Sequence, residues 1–401
     1  MASILRYIRN HILLFLIVVI LITGLAGFLI INNMFKEYKP YISSSYLLTT
    51  FTNDYIEEKK EDYIIEIPET YEMLYIIIAI SEFGLKSTNL INKQSEYYDK
   101  VLEHFLPYKD HPVVYEVMSF LEYRSTASLG TIFAYEFIGD EMKHNGQHSA
   151  DWHFSSFLEY IDLLEDFSRV TGFRDFYSEN YSYYRKMIEE YNKIVPLDQM
   201  WMWLEEHFPK KYDIYRIVSS PLLGGSHYAH NFRDKINKID EIVAVAPIKT
   251  NITGYEKPGI EEELLLSRFV FTEINHNYVN PITDRLQNLR KVVRVFSDRD
   301  YWYKGEGYNN PSFIFNEYMT WAVFSLYVYD HYDEDIFNNI NDLTVNTMVN
   351  HRKFIRFEEF NNKLLHLYIN RKKNTRISEL YAGILRYANN MSKLEMVVQK
   401  N

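Results

Sequence analysis

The sequence predicts a mainly α-helical domain with a small antiparallel β-sheet, an α+β fold, preceded by one N-terminal transmembrane helix. Three observations predict it. Most of the chain after Glu69 carries apolar residues at helical spacing. Three short extended runs cluster around a Pro-Leu-Leu-Gly-Gly turn near the middle. Ile12 to Ile31, "ILLFLIVVILITGLAGFLII", holds no charged residue, and about 20 apolar residues suffice for a helix to cross a bilayer.

That run is longer than the apolar region of a secretory signal and continues past its Ala26-Gly27 pair. It reads as an uncleaved signal anchor. Residues 1–11 are then a short cytoplasmic N-terminus, 12–31 the span, 32–61 a polar membrane-proximal stalk ending in "EEKKED", and 62–401 the ectodomain. Arg6 and Arg9 precede the span and Lys36 and Lys39 follow it, a slight positive-inside bias from which the N-terminus is expected inside and the large domain outside the cytoplasm.

Within the ectodomain "YIIEIP", Tyr63–Pro68, reads as a strand stopped by its proline. Helices follow: "ETYEMLYIIIAISEF", then Lys93–Phe105, Pro112–Tyr123, Ala127–Phe137, Trp152–Val170, Phe173–Ile194 and Leu197–Phe208. "YDIYRIVSSPLLGGSHYAHNF" reads as a hairpin over Ser219–Phe232, and Glu241–Pro247 as a third strand. Helices resume at Ile260–Val279, Pro281–Phe296, Pro311–Tyr329, Asp335–Asn350, Phe354–Tyr368 and Ile377–Asn390.

Composition narrows the function. A net charge of -11 without a basic stripe argues against nucleic acid as a partner. The absence of cysteine removes disulfides, thiolate metal sites and cysteine nucleophiles. The 35 Tyr and 26 Phe are spread along helical faces and read as packing. His144, His148, Asp151 and His153 read as a surface loop with scattered histidines, and "DHYDED" lacks the glycine and spacing of a calcium loop.

One stretch carries candidate chemistry. In "RFVFTEINHNYVNP" the residues Thr272 and His276 lie four apart on one helix face, with Glu273 beside them. A His-Glu-x-x-His helix binds zinc through its two histidines while the glutamate takes a proton from metal-bound water. Here the glutamate and the second histidine are present, and Asn280-Pro281 is expected to end the helix. Glu-x-x-His alone is unspecific, since Glu141–His144 repeats it. A second signal is Glu317, set inside the apolar helix "SFIFNEYMTWAVFSLYVYD". A buried carboxylate there needs a cation or a metal, so it reads either as a salt bridge or as a third ligand.

With the Asn-Pro ending and the Gly-Gly turn, the chain resembles a bacterial domain-of-unknown-function family whose members resemble gluzincin zinc peptidases. That family's helix reads approximately H-E-F-x-H-x-F-V-N-P. "IPETYEMLYIIIAIS", "HPVVYEVMSFLEY", "FSRVTGFRDFYSENYSYY" and "SSPLLGGSHYAHNF" share the family's texture, from about Ile67 to Tyr368. The resemblance implies a zincin-like fold, His276 and Glu317 as metal ligands, Glu273 as general base, and the Ser219–Phe232 hairpin as a sheet edge that takes an extended peptide by strand addition.

Thr272 departs from the pattern, standing where the first ligand would be. A neutral hydroxyl is a poorer zinc donor than imidazole, so zinc is expected to bind weakly or not at all. His227 and His230 are candidate substitutes, but three residues apart on a strand they point to opposite faces, so at most one enters the cleft. The leading expectation is a membrane-anchored, non-catalytic binder of peptide or protein. The alternatives are an active metallohydrolase using His276, Glu317 and an unconventional third ligand, and an envelope scaffold.

Overall fold

The computed structural model describes residues 47–60, 63–87, 89–122, 126–146, 148, 157–248 and 259–398. Its strands are β1 (Leu47–Thr49), β2 (Tyr63–Glu66), β3 (Tyr135–Ile138), β4 (Glu141–His144), β5 (Ile214–Val218), β6 (Tyr228–Asp234) and β7 (Ile239–Val245). The helices before β5 are α1 (Asn53–Lys59), α2 (Glu69–Ile80), α3 (Glu82–Lys86), α4 (Glu96–Phe105), α5 (Pro112–Glu122), α6 (Ile161–Thr171), α7 (Phe173–Glu179), α8 (Tyr181–Ile194) and α9 (Leu197–His207). After β7 come α10 (Ile260–Thr283), α11 (Leu286–Phe296), α12 (Arg299–Trp302), α13 (Pro311–His331), α14 (Glu334–Asn346), α15 (Phe357–Ile369) and α16 (Ile377–Val398).

The expected fold class is corrected on two points. The main sheet is mixed, in the order β1-β6-β7-β5-β2. Three of its pairings (β1–β6, β2–β5 and β5–β7) are parallel, and only β6–β7 is antiparallel. A separate antiparallel pair, β3–β4, replaces the end of the helix expected over Ala127–Phe137 and contains the second Glu-x-x-His. On the second point, no helix among the described residues is long and apolar enough to cross a membrane. The run Ile12–Ile31 lies outside the described residues.

Ser219–Phe232 is therefore not a hairpin: β5 and β6 flank β7 on opposite sides. The segment between them packs on residues 89–92 instead, where Leu223 bridges Ile91 and the Gly224 amide donates to the Leu90 carbonyl at 3.0 Å. A Cβ on Gly224 would meet the Asn89 carbonyl oxygen at 2.2 Å, which is why the turn needs glycine there.

The parallel partners arrive from far upstream. β1 and α1 belong to residues read as stalk, yet β1 pairs with Phe232–Asp234. The carboxylate of Asp234 accepts the amide of Phe51 at 2.9 Å and those of Ile236 and Asn237 at 2.8 and 2.9 Å. One side chain thereby closes the β6–β7 turn and fastens the incoming chain.

One face of the sheet carries a buried polar cluster. Glu241 accepts from the Tyr55 hydroxyl and lies 2.8 Å from His148 Nε2, while Arg216 pairs with Glu66. His148 is thus an interior residue, 1% exposed, where a surface loop was expected. Asp151 and His153 lie outside the described residues.

The opposite face receives α10. Its first turn holds Glu261, Glu262 and Glu263, which favour the positive end of the helix dipole. The helix does not stop at Asn280 but runs through Pro281 to Thr283. Proline has no amide to give the carbonyl four residues back. Tyr212 fills that vacancy, its hydroxyl donating to the Asn277 carbonyl at 2.8 Å.

Helix α13 lies against α10 and is buried from Pro311 to Val328 apart from Phe313. Its start is set by Asn310, whose side chain accepts the Ser312 amide, with Pro311 at the first helical position. Asn275 locks the two helices together by donating to the Thr320 carbonyl at 2.9 Å.

Replacing Asp234 with alanine leaves three backbone amides without their acceptor, that of buried Phe51 among them. Hydrogen bonds to a charged group contribute about 1.5–3 kcal/mol each and overlap in effect. We expect a loss of about 3 kcal/mol in a urea melt, with early amide exchange at Phe51.

Candidate functional site

The spacing of α10 brings Arg268, Thr272 and His276 onto one face, with Glu273 beside them. On α13 the same rule aligns Glu317, Thr320 and Trp321 opposite. The structure brings His276 and Glu317 together, with Nε2 and Oε1 3.4 Å apart. His276 Nδ1 is held at 3.3 Å from both the Asn280 side-chain oxygen and the Thr320 hydroxyl.

Thr272 is fully buried, and its hydroxyl donates to the Phe269 carbonyl of its own helix at 2.9 Å. Glu273 is buried too, its Oε1 lying 2.5 Å from His227 Nδ1. Of the two histidines considered as substitutes, His227 therefore reaches the α10 face at Glu273. His230 is on the other face of β6, with Nε2 3.0 Å from the Ala127 carbonyl, where burial pushes its pKa down to about 4.

Three residues that sequence reasoning missed complete the site. Arg352 Nη1 donates to Glu317 Oε2 at 2.8 Å, and its Nη2 donates to the Tyr308 hydroxyl at 3.0 Å. That hydroxyl in turn donates to Glu317 Oε1 at 3.2 Å. Arg268 and Arg352 both lie over the indole of Trp321, at 4.8 and 4.7 Å from its centroid. Arg268 lies four residues before Thr272 on the Thr272–His276 stripe, the signal that could have found it. Arg352 and Tyr308 come from loops with no motif of their own.

Arg352 reaches the site through an irregular turn. Thr347–His351 is a π-helical turn, closed by the Arg352 amide on the Thr347 carbonyl, and Lys353 comes next at φ 65°. A π turn inserts an extra residue and redirects the chain beyond it, a device common at functional sites.

The charges are mutually dependent. Burial opposes the His276 cation, but the hydrogen bond and negative charge of Glu317 outweigh it and hold His276 up to about 9. Burial would also raise Glu317, yet Arg352 and His276 draw its carboxyl well below the usual range.

This donor set does not fit a catalytic zinc in its usual form. Such an ion needs three protein ligands facing an open position. Thr272 supplies a hydroxyl already committed to its helix, and Glu317 already faces a guanidinium. What the arrangement can do as it stands is offer donors: the half-buried heads of His227, His276 and Arg352 surround two carboxylates.

In the metal-free protein the His276–Glu317 pair gives a signed pH dependence. The His276 pKa is raised above the unfolded value of about 6.5, so its contribution is complete below that pH and disappears as pH rises through about 9. The depressed Glu317 contributes above about 4.5 and loses this in acid. An NMR titration should show the His276 ring titrating near 9 and falling by at least about one unit in Glu317→Gln.

A family model described as "Domain of unknown function (DUF4932)" matches residues 63–387. No curated protein and no solved structure matches the chain.

Proposed function

The chain belongs to the DUF4932 family, and from that premise we propose that it is a non-catalytic relative of gluzincin-type zinc peptidases that keeps the peptide-facing cleft as a binding site. The observation that carries this is Arg352 on Glu317 at 2.8 Å. A fixed guanidinium stands where a third ligand would turn toward a metal, so the carboxylate is neutralised without one. Thr272 adds the loss of an imidazole. The cleft keeps its hydrogen-bonding heads, which suit the carbonyl and carboxylate groups of a peptide or protein segment.

One contact favours a second reading. His227 lies against Glu273, on the side of α10 that holds His276. An ion held by His227, His276 and Glu317 would make the protein a metallohydrolase with Glu273 as base, provided that Arg352 leaves Glu317.

Metal content of the purified full chain separates the two. We expect less than stoichiometric zinc, lost on brief dialysis against a chelator. Thr272→His alone should gain little affinity while Arg352 competes, whereas Thr272→His with Arg352→Met should bind zinc at least about tenfold more tightly than either single variant. Stoichiometric zinc in the wild type, abolished by His227→Ala, would establish the second reading in place of the first.

A further inference from the structure

Arg268 stands apart from the half-buried arginines Arg216 and Arg352. It is 7% exposed, yet no carboxylate among the described residues pairs with it. Its polar contact is Nη1 to the Thr344 hydroxyl at 3.5 Å, at the limit of a hydrogen bond, and its Nε is buried with no partner. The neighbouring charge is of the same sign: Arg352, over the same indole. By contrast Arg352 has Glu317, and Arg216 has Glu66.

A buried cation without a counter-ion is strongly unfavourable, so folds rarely retain one without use. Burial, and then Arg352, push Arg268 down to about 10, which leaves it charged at neutral pH. The free Nε lies on the edge of the guanidinium that matches the two oxygens of a carboxylate. Arg268 is also one helical turn from Thr272, on the face of α10 that carries His276.

We propose that Arg268 is the anchoring site for a planar carboxylate, which supplies the missing negative charge beside its unpartnered Nε. The carboxylate is borne either by a peptide, as its C-terminus or an acidic side chain, or by a small free acid. Only the identity of the bearer rests on the peptide-binding reading above. The indole of Trp321 gives the guanidinium plane a fixed seat, so little rotamer freedom is lost when the anion arrives.

Thermal melts and calorimetry on the full chain test this, using acetate, inorganic phosphate at matched ionic strength, and a short neutral peptide as free acid and as C-terminal amide. We expect acetate to raise the Tm of the wild type but not of Arg268→Met. In the absence of anion, Arg268→Met should melt at or above the wild-type temperature, because it removes an uncompensated charge. A purely structural arginine would give the opposite sign. The free-acid peptide should bind the wild type at least about tenfold more tightly than its amide, a preference that Arg268→Met loses. Arg268→Lys, which keeps the charge but not the fork, should retain a weakened acetate response and serves if the methionine variant does not fold.

Acetate binding without any peptide binding would support the anion site and assign it to a small acid, while removing the peptide reading. Peptide binding equal in wild type and Arg268→Met would overturn the site and leave that reading in place. A larger shift with phosphate than with acetate would also overturn it, since the ligand would then not be a planar carboxylate.

Discussion

A single carboxylate, Glu317, dictates much of how the helical half of the molecule is arranged. It sits in a helix buried along almost its whole length, where an unpaired charge would be prohibitive. The compensation comes from three directions at once: Arg352 from a π turn, Tyr308 from the loop before α13, and His276 from the face of α10. Breaking such a pair on one side typically costs about 3–5 kcal/mol. The register of α10 against α13 and the path of the chain after α14 are tied to that group.

The same constraint explains the chemistry of the cleft. In a metal site the positive charge facing a buried glutamate is an ion that can also hold water. Here it is an arginine whose own position is fixed by Trp321 and Tyr308. A guanidinium neutralises charge and donates hydrogen bonds, but it does not lower the pKa of a bound water as zinc does. Glu273, next to the threonine, is correspondingly paired with His227 rather than left free to act as base. Such a donor set offers hydrogen bonds rather than an activated water.

Much of the helical layout was legible because helix signals are local. The three glutamates opening α10 and the Asn-Pro start of α13 say where those helices begin. Glu317 was legible as a charge that needed a partner, but its partner was not, since nothing in "NHRKF" announces a π turn. The sheet was misread because its parallel pairings join β1 and β2 to strands far downstream, and strand spacing reports neighbours in sequence only. Pro281 misled for a related reason: the hydroxyl that compensates for its missing amide belongs to Tyr212, outside the helix. His148 looked like a loop residue because its partner, Glu241, is equally remote.

The central claim, that Arg352 and not a metal ion compensates Glu317, is tested most directly by crystals of the full chain grown with zinc and measured across the zinc absorption edge. We expect Arg352 in contact with Glu317 and no anomalous peak between His276 and Glu317. An anomalous peak coordinated by His227, His276 and Glu317, with Arg352 swung away, would contradict it.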